Sequence, residues 1–353
     1  MNVRTLDFWN AGTESPPETF ARDQLSLLLA AWHKRAIARW WRAGEEGLSL
    51  GRYHRRDSRG GPAAGLVRRL SGGRIVPQGP GIACLTLAVP QAAWLDPGAR
   101  ALRPEQVLNR ALRPLLAALR AATQADEHRG AAVDAFYPGR DLITVGGRAL
   151  AHASFTVARD GALLVQMQVG DRSGFDALPQ LLERFDPGGV AGADKNAFAG
   201  ATSFSALTGA GLDDCGWSRR LVAAFESELR CQVRIGEPWA ASEVTLAHPA
   251  AFTALQHELG PLAEDSARAG AISMLGVVEA GARLEGDRLR DVRLSGDLIA
   301  PFHTLDALSA GLEGQPARLP ALRRVLARVL SQPGEFILGV RDLEELLARL
   351  ATG

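Results

Sequence analysis

The feature that most restricts the fold is a Gly146-Gly147 pair set between two strand-like runs, Asp141–Val145 and Arg148–Val157. So short a connection admits only a hairpin, and hairpins join antiparallel strands. A third run, Gly161–Val169, follows closely. Parallel βαβ units need crossovers of about a dozen residues between successive strands, and no such spacing recurs. Further strand-like runs at Gly47–His54, Leu66–Leu70 and Ile82–Val89 are mixed irregularly with helical stretches. The expectation is an α+β fold with a mainly antiparallel sheet flanked by helices.

The helical stretches carry apolar residues at spacings of three and four. Residues 18–43 read as a helix from Leu25, Leu28, Leu29 and Trp32, with Ile37, Trp40 and Trp41 leading on toward the Gly47 run. Pro104–Ala122 has a strong helical period, which Pro114 is expected to kink or break. Phe175–Phe185 and Trp217–Leu229 read as helices, and 186–203 as a long loop. Beyond a boundary near 236–242, a meander is expected from Ala271–Ala280, Gly281–Leu284 and Leu289–Leu294, with its turn at Glu285-Gly286-Asp287. Helices are expected at 304–312, 319–331 and 340–351. A chain of 353 residues suggests two domains: here 1–237, and a smaller α+β unit at 238–353.

Composition narrows the function. Hydrophobic residues make up 46% of the chain, enough for ordinary cores. The formal net charge of +1 supplies no global attraction to nucleic acid or acidic membranes. No run of about 18 apolar residues and no signal-peptide pattern is present, so a cytoplasmic location is expected, with no membrane partner. Cys84, Cys215 and Cys231 are widely separated and form no C-x-x-C pair, which argues against a zinc or redox site. Nearly all basic residues are arginine; only Lys34 and Lys195 are lysine.

Two segments carry a resemblance. Leu50-Gly51-Arg52-Tyr53-His54 followed by Val67-Arg68-Arg69-Leu70-Ser71-Gly72-Gly73-Arg74-Ile75-Val76-Pro77 resembles the aromatic-tipped strand and glycine-rich loop of lipoate–protein ligases. Asp141-Leu142-Ile143-Thr144-Val145-Gly146-Gly147-Arg148-Ala149-Leu150-Ala151-His152-Ala153 is similar to the strand hairpin that bears that family's catalytic lysine. In the C-terminal unit, the run from Gly286 to Gly296-Asp297 is similar to the family's accessory domain. The likeness covers nearly the whole chain and implies a biotin/lipoate ligase-like catalytic domain with an accessory domain.

The resemblance implies an enzyme that uses ATP, with Mg2+ arriving on the nucleotide, to activate lipoate or a related acyl acid as an acyl-adenylate. The acyl group then passes to a lysine of a lipoyl-domain acceptor protein. Arg69, Ser71, Gly72, Gly73, Arg74, Ile75, Val76, Asp141 and His152 are expected to line the adenylate. Paired glycines let backbone N–H groups approach a phosphate, and guanidinium groups add charge-assisted hydrogen bonds. Arg148 stands where the family has its lysine. It keeps the positive charge but presents it as a planar fork. That departure leaves a second possibility, a non-catalytic or altered-specificity acyl- or nucleotide-binding protein on the same scaffold. His54 reads either as a pocket residue or as a solvated loop histidine. Lys195 is a candidate to supply the charge that position 148 no longer gives as lysine.

Overall fold

The computed structural model describes residues 4–55, 65–96, 98–99, 101–124, 134–185, 198–236, 266–340 and 343–350. Strands β1 (Thr5–Glu14), β2 (Ala36–Ala43), β6 (Ile82–Val89), β7 (Ala135–Phe136), β8 (Leu142–Val145), β9 (Arg148–Val157), β10 (Leu163–Gly170) and β11 (Gln232–Ile235) form one sheet. Its order is β11-β1-β2-β6-β10-β9-β8-β7. Only β1 pairs in parallel, with β2 and with β11; every other pairing in this sheet is antiparallel, as expected. A small sheet of β3 (Gly47–Leu50), β4 (Leu66–Arg68) and β5 (Val76–Gln78) lies beside it.

Strand alternation divides the large sheet chemically. Val165, Met167 and Val169 of β10, with Ala151, Ala153 and Phe155 of β9, enter the main core. There they join Leu115 and Leu119 of helix α3 (Arg113–Gln124) and Leu221 and Phe225 of helix α6 (Trp217–Leu229). The intervening residues are polar yet buried: Gln166 and Gln168 on β10, His152, Ser154 and Thr156 on β9, Thr86 on β6 and Arg39 on β2. Helix α1 (Pro16–His33) packs on β6, β2 and β10.

The expected helix over 18–43 is two elements. Pro16 and Pro17 open α1, and the Glu18 carboxylate accepts the Ser15 N–H at 2.8 Å. The helix stops at His33, where Lys34 turns left-handed with φ 53°. Ile37, Trp40 and Trp41 then lie on β2, a strand buried on both faces between β1 and β6. Such a strand shows no alternation, so its apolar run reads like more helix. Strand β1 has no counterpart in the sequence reading, nor has β11. Pro114 does mark a break: helix α2 (Pro104–Ala111) ends just before α3 begins.

In the C-terminal region, β12 (Ala267–Ser273), β13 (Gly276–Glu285) and β14 (Arg288–Gly296) form an antiparallel meander with its turn after Glu285, as expected. The two runs expected at 271–280 and 281–284 are the end of β12 and one continuous β13. Helices α7 (Thr304–Leu312), α8 (Leu319–Leu330) and α9 (Leu343–Leu350) pack here around a core of their own. The expected domain boundary at 237/238 lies outside the described residues. Among the described residues, no helix is long and apolar enough to cross a membrane.

Candidate functional site

The loop 69–75 hangs between β4 and β5 over the polar face of β9 and β10. Arg69 organises it from within. Its Nη2 donates to the carbonyls of Gly72 (2.7 Å) and Arg74 (2.6 Å), and its Nη1 to that of Ser49 (2.9 Å). Its Nε is 3.3 Å from Ser71 Oγ and 3.4 Å from Ser154 Oγ. Burial pulls this guanidinium down to about 9, so it remains a cation at neutral pH. Ser71 ties the loop to the sheet: its N–H donates to Gln166 Oε1 at 2.9 Å, and its Oγ lies 2.6 Å from Ser154 Oγ.

Asp141, at the entry to β8, and His152 on β9 meet the far side of the loop. Arg74 Nε donates to Asp141 Oδ2 at 2.7 Å, while Asp141 Oδ1 is buried without a partner. Burial outweighs the attraction of Arg74 and pushes the Asp141 carboxyl up to about 6. His152 Nδ1 pairs with Gln168 Oε1 at 2.9 Å, leaving Nε2 buried and unpaired, 3.7 Å from Asp141 Oδ2. Burial, then the nearby Arg69 charge, hold His152 well below the usual imidazole range, so it is neutral.

The outer side of the loop is covered by the C-terminal region. The Gly73 N–H donates to the Leu298 carbonyl at 2.7 Å. A Cβ on residue 72 would overlap that same oxygen, and Gly73 takes φ +80°. His54 is fully buried, with Nε2 3.2 Å from the Gly73 carbonyl and 3.1 Å from Asp297 Oδ1. Of the two readings open for His54, the solvated one is thereby excluded. Asp297 and Leu298 were not read as site residues; Asp297 entered only as the end of a strand motif.

The other expected residues lie as follows. The side chains of Ile75 and Val76 enter a hydrophobic cluster with Leu48 and Leu50, which leaves only their backbone to the site. Arg148 opens β9, four residues before His152, or about 13 Å along an extended strand. Its guanidinium donates to the carbonyls of Gly200 (3.0 Å) and Ala201 (3.2 Å). Lys195 lies outside the described residues. Cys84 is buried in the same apolar cluster as Ile75, as expected of a core thiol. Among the described residues, no group of three or more His, Cys, Asp or Glu side chains is placed to hold a metal ion.

Two properties of the loop bear on ligands. Among the described residues, the backbone N–H groups of Gly72, Arg74 and Ile75 make no hydrogen bond, although all three residues are buried. Three backbone donors without a protein acceptor in one short turn are available to an acceptor from outside the chain. Behind Arg69, by contrast, the space bounded by Glu14, Asp23, Trp41, Ser49, Gln78 and Gln166 is only about 30 Å³. That is room for water, not for an acyl chain.

This is the architecture of the lipoate–protein ligases. The chain superposes over 99% of its length on all of LipL1 from P. falciparum, solved in complex with lipoate, with a TM-score of 0.67 and 12% identity. It also matches the bi-partite lipoate protein ligase of Thermoplasma acidophilum, over 71% of this chain and 92% of that one, with a TM-score of 0.51 and 12% identity. No family model and no curated protein matches the sequence.

Proposed function

We propose that the chain is a lipoate–protein ligase-like cofactor transferase. It activates lipoate or a related carboxylic acid with ATP and passes the acyl group to a lysine of a lipoyl-domain acceptor. The supporting observation is the trio of unpaired N–H groups at Gly72, Arg74 and Ile75 beside the buried Arg69 cation. Oriented amides next to a fixed positive charge suit the phosphate of an acyl-adenylate. Arg74 and Asp141 fix the far side of that turn. In this reading Arg148 stabilises the transferring acyl group, and Mg2+ arrives on the nucleotide rather than in a protein-built site.

A second reading rests on the 30 Å³ space behind Arg69, which does not fit a lipoyl chain as it stands. On that observation the scaffold binds an acyl or nucleotide ligand of altered specificity, without lipoyl turnover. Mixing the protein with ATP, Mg2+ and lipoate or octanoate, then measuring pyrophosphate, separates the two. Pyrophosphate release followed by a mass gain on a lipoyl domain supports the ligase. Absence of release with either acid, alongside thermal stabilisation by a non-hydrolysable acyl-adenylate analogue, supports the binder and removes the ligase.

A further inference from the structure

The backbone of Gly73 is held at both its N–H and its carbonyl, in two successive peptide planes, and both contacts lead to two consecutive residues of the C-terminal region. Its N–H goes to the Leu298 carbonyl at 2.7 Å. Its carbonyl lies 3.2 Å from His54 Nε2, which is also 3.1 Å from Asp297 Oδ1. Both neighbours of Nε2 are acceptors, so this nitrogen carries the proton and donates to the Gly73 carbonyl, with the Asp297 carboxylate beside it. Asp297 is itself fixed: its Oδ2 accepts the Val277 N–H at 2.8 Å, and its own N–H donates to the Val277 carbonyl at 2.8 Å. A Cβ at residue 276 would overlap Asp297 Oδ2, so Gly276 is what lets this carboxylate sit down on β13. His54 is buried completely and Asp297 almost so, which makes the contact rigid.

We propose that His54 and Asp297 are positioning residues for the candidate anion site. The Gly73 carbonyl shares a peptide plane with the Arg74 N–H, so the His54 contact orients that donor directly, while the Leu298 bond fixes the plane before it. Arg74 bears one of the three unpaired N–H groups, and Gly72 and Ile75 flank the two planes so fixed. The C-terminal region thus completes the site from outside rather than accompanying it. This inference rests on the ligase reading for the identity of the anion, but the positioning itself does not depend on turnover.

The test uses the full-length chain with His54→Ala, His54→Gln and Asp297→Ala. A glutamine side-chain amide at position 54 restores a donor near Nε2; alanine does not. Amide hydrogen exchange is followed for the peptide spanning 72–76, together with the KM for ATP. Exchange is expected to be at least tenfold faster in His54→Ala and Asp297→Ala, and within about threefold of the parent in His54→Gln. Where pyrophosphate is released, the KM for ATP follows the same order while the KM for the acid does not move. Unchanged exchange in His54→Ala overturns the proposal. So does equal acceleration in His54→Ala and His54→Gln, which would mean that ring volume, not the Nε2 donor, holds the loop. A parent chain that releases no pyrophosphate while the exchange pattern holds sinks the ligase reading and leaves the positioning in place.

Discussion

Asp141 shows how much chemistry one buried carboxylate sets. It is paired through Oδ2 to Arg74, yet its other oxygen has no donor, and burial lifts it to about 6. An aspartate in the unfolded chain titrates near 4. The folded form therefore holds its proton more tightly, and the stability this provides is complete below about pH 4 and lost as the pH rises through about 6. Asp23, lifted to about 6 by its own burial, acts in the same direction. His152, held neutral in the fold, acts in the opposite direction over the same range, so urea unfolding between pH 4 and 6 is read as the difference between the parent and Asp141→Asn. Removing the Asp141 contribution shifts the slope toward stability rising with pH by up to one proton, at most about 1.4 kcal/mol per pH unit. The slope is the diagnostic quantity, because the substitution also alters the Arg74 contact itself at every pH. Identical slopes would place Asp141 in the ordinary carboxylate range and remove it as a buried, proton-holding member of the site.

At the scale of elements, α1 is fastened to the sheet by ions rather than by apolar contacts alone. Arg39 on β2 is fully buried and hydrogen-bonds Glu14, at the end of β1, and Asp23, on α1. Gln166 Nε2 donates to Asp23 at 2.6 Å and its Oε1 accepts the Ser71 N–H, so the array runs on into the glycine loop. Arg39→Met leaves Asp23 without its cation and Glu14 with Arg22 alone, and is expected to destabilise the protein by about 3–5 kcal/mol. Converting Glu14→Gln and Asp23→Leu in the same chain should recover most of that loss, as read by denaturant midpoints. A loss that the triple variant does not recover would mean that shape, not charge, fixes α1. These elements also mark what was legible beforehand. The β8–β9 hairpin was readable because its turn is local chemistry, two glycines between alternating runs. β2 was not, because burial on both faces erases the alternation that distinguishes strand from helix. Arg69, Ser71 and the glycine pair were readable as a loop by residue type. Their partners were not, since Leu298 and Asp297 lie more than 200 positions away in sequence and no periodicity encodes so distant a contact.

At the scale of the molecule, the two regions exchange core residues. Leu275 and Ile299 of the C-terminal region belong to the main core, while Tyr53 of the N-terminal region belongs to the C-terminal one. The Tyr53 hydroxyl donates to the carbonyls of Ala300 and Pro301, each at 3.1 Å. Ile299 pairs as an isolated bridge with Leu338, and Leu338 and Phe336 both pack against the main core. Neither region can open without exposing apolar surface of the other, so unfolding is expected to be a single calorimetric transition. Its heat-capacity change should be about 4–5 kcal/mol/K, the value for the whole chain at 12–15 cal/mol/K per residue. Ile299→Ala removes buried methyl groups from the main core and is expected to cost about 2–5 kcal/mol. It should lower that one transition without dividing it. Two resolved peaks in the parent, or a variant in which only one part melts earlier, would show the regions to be energetically separate. The clamp on Gly73 would then be a contact between independent bodies, and the anion site would be complete only in the fraction of molecules where they touch.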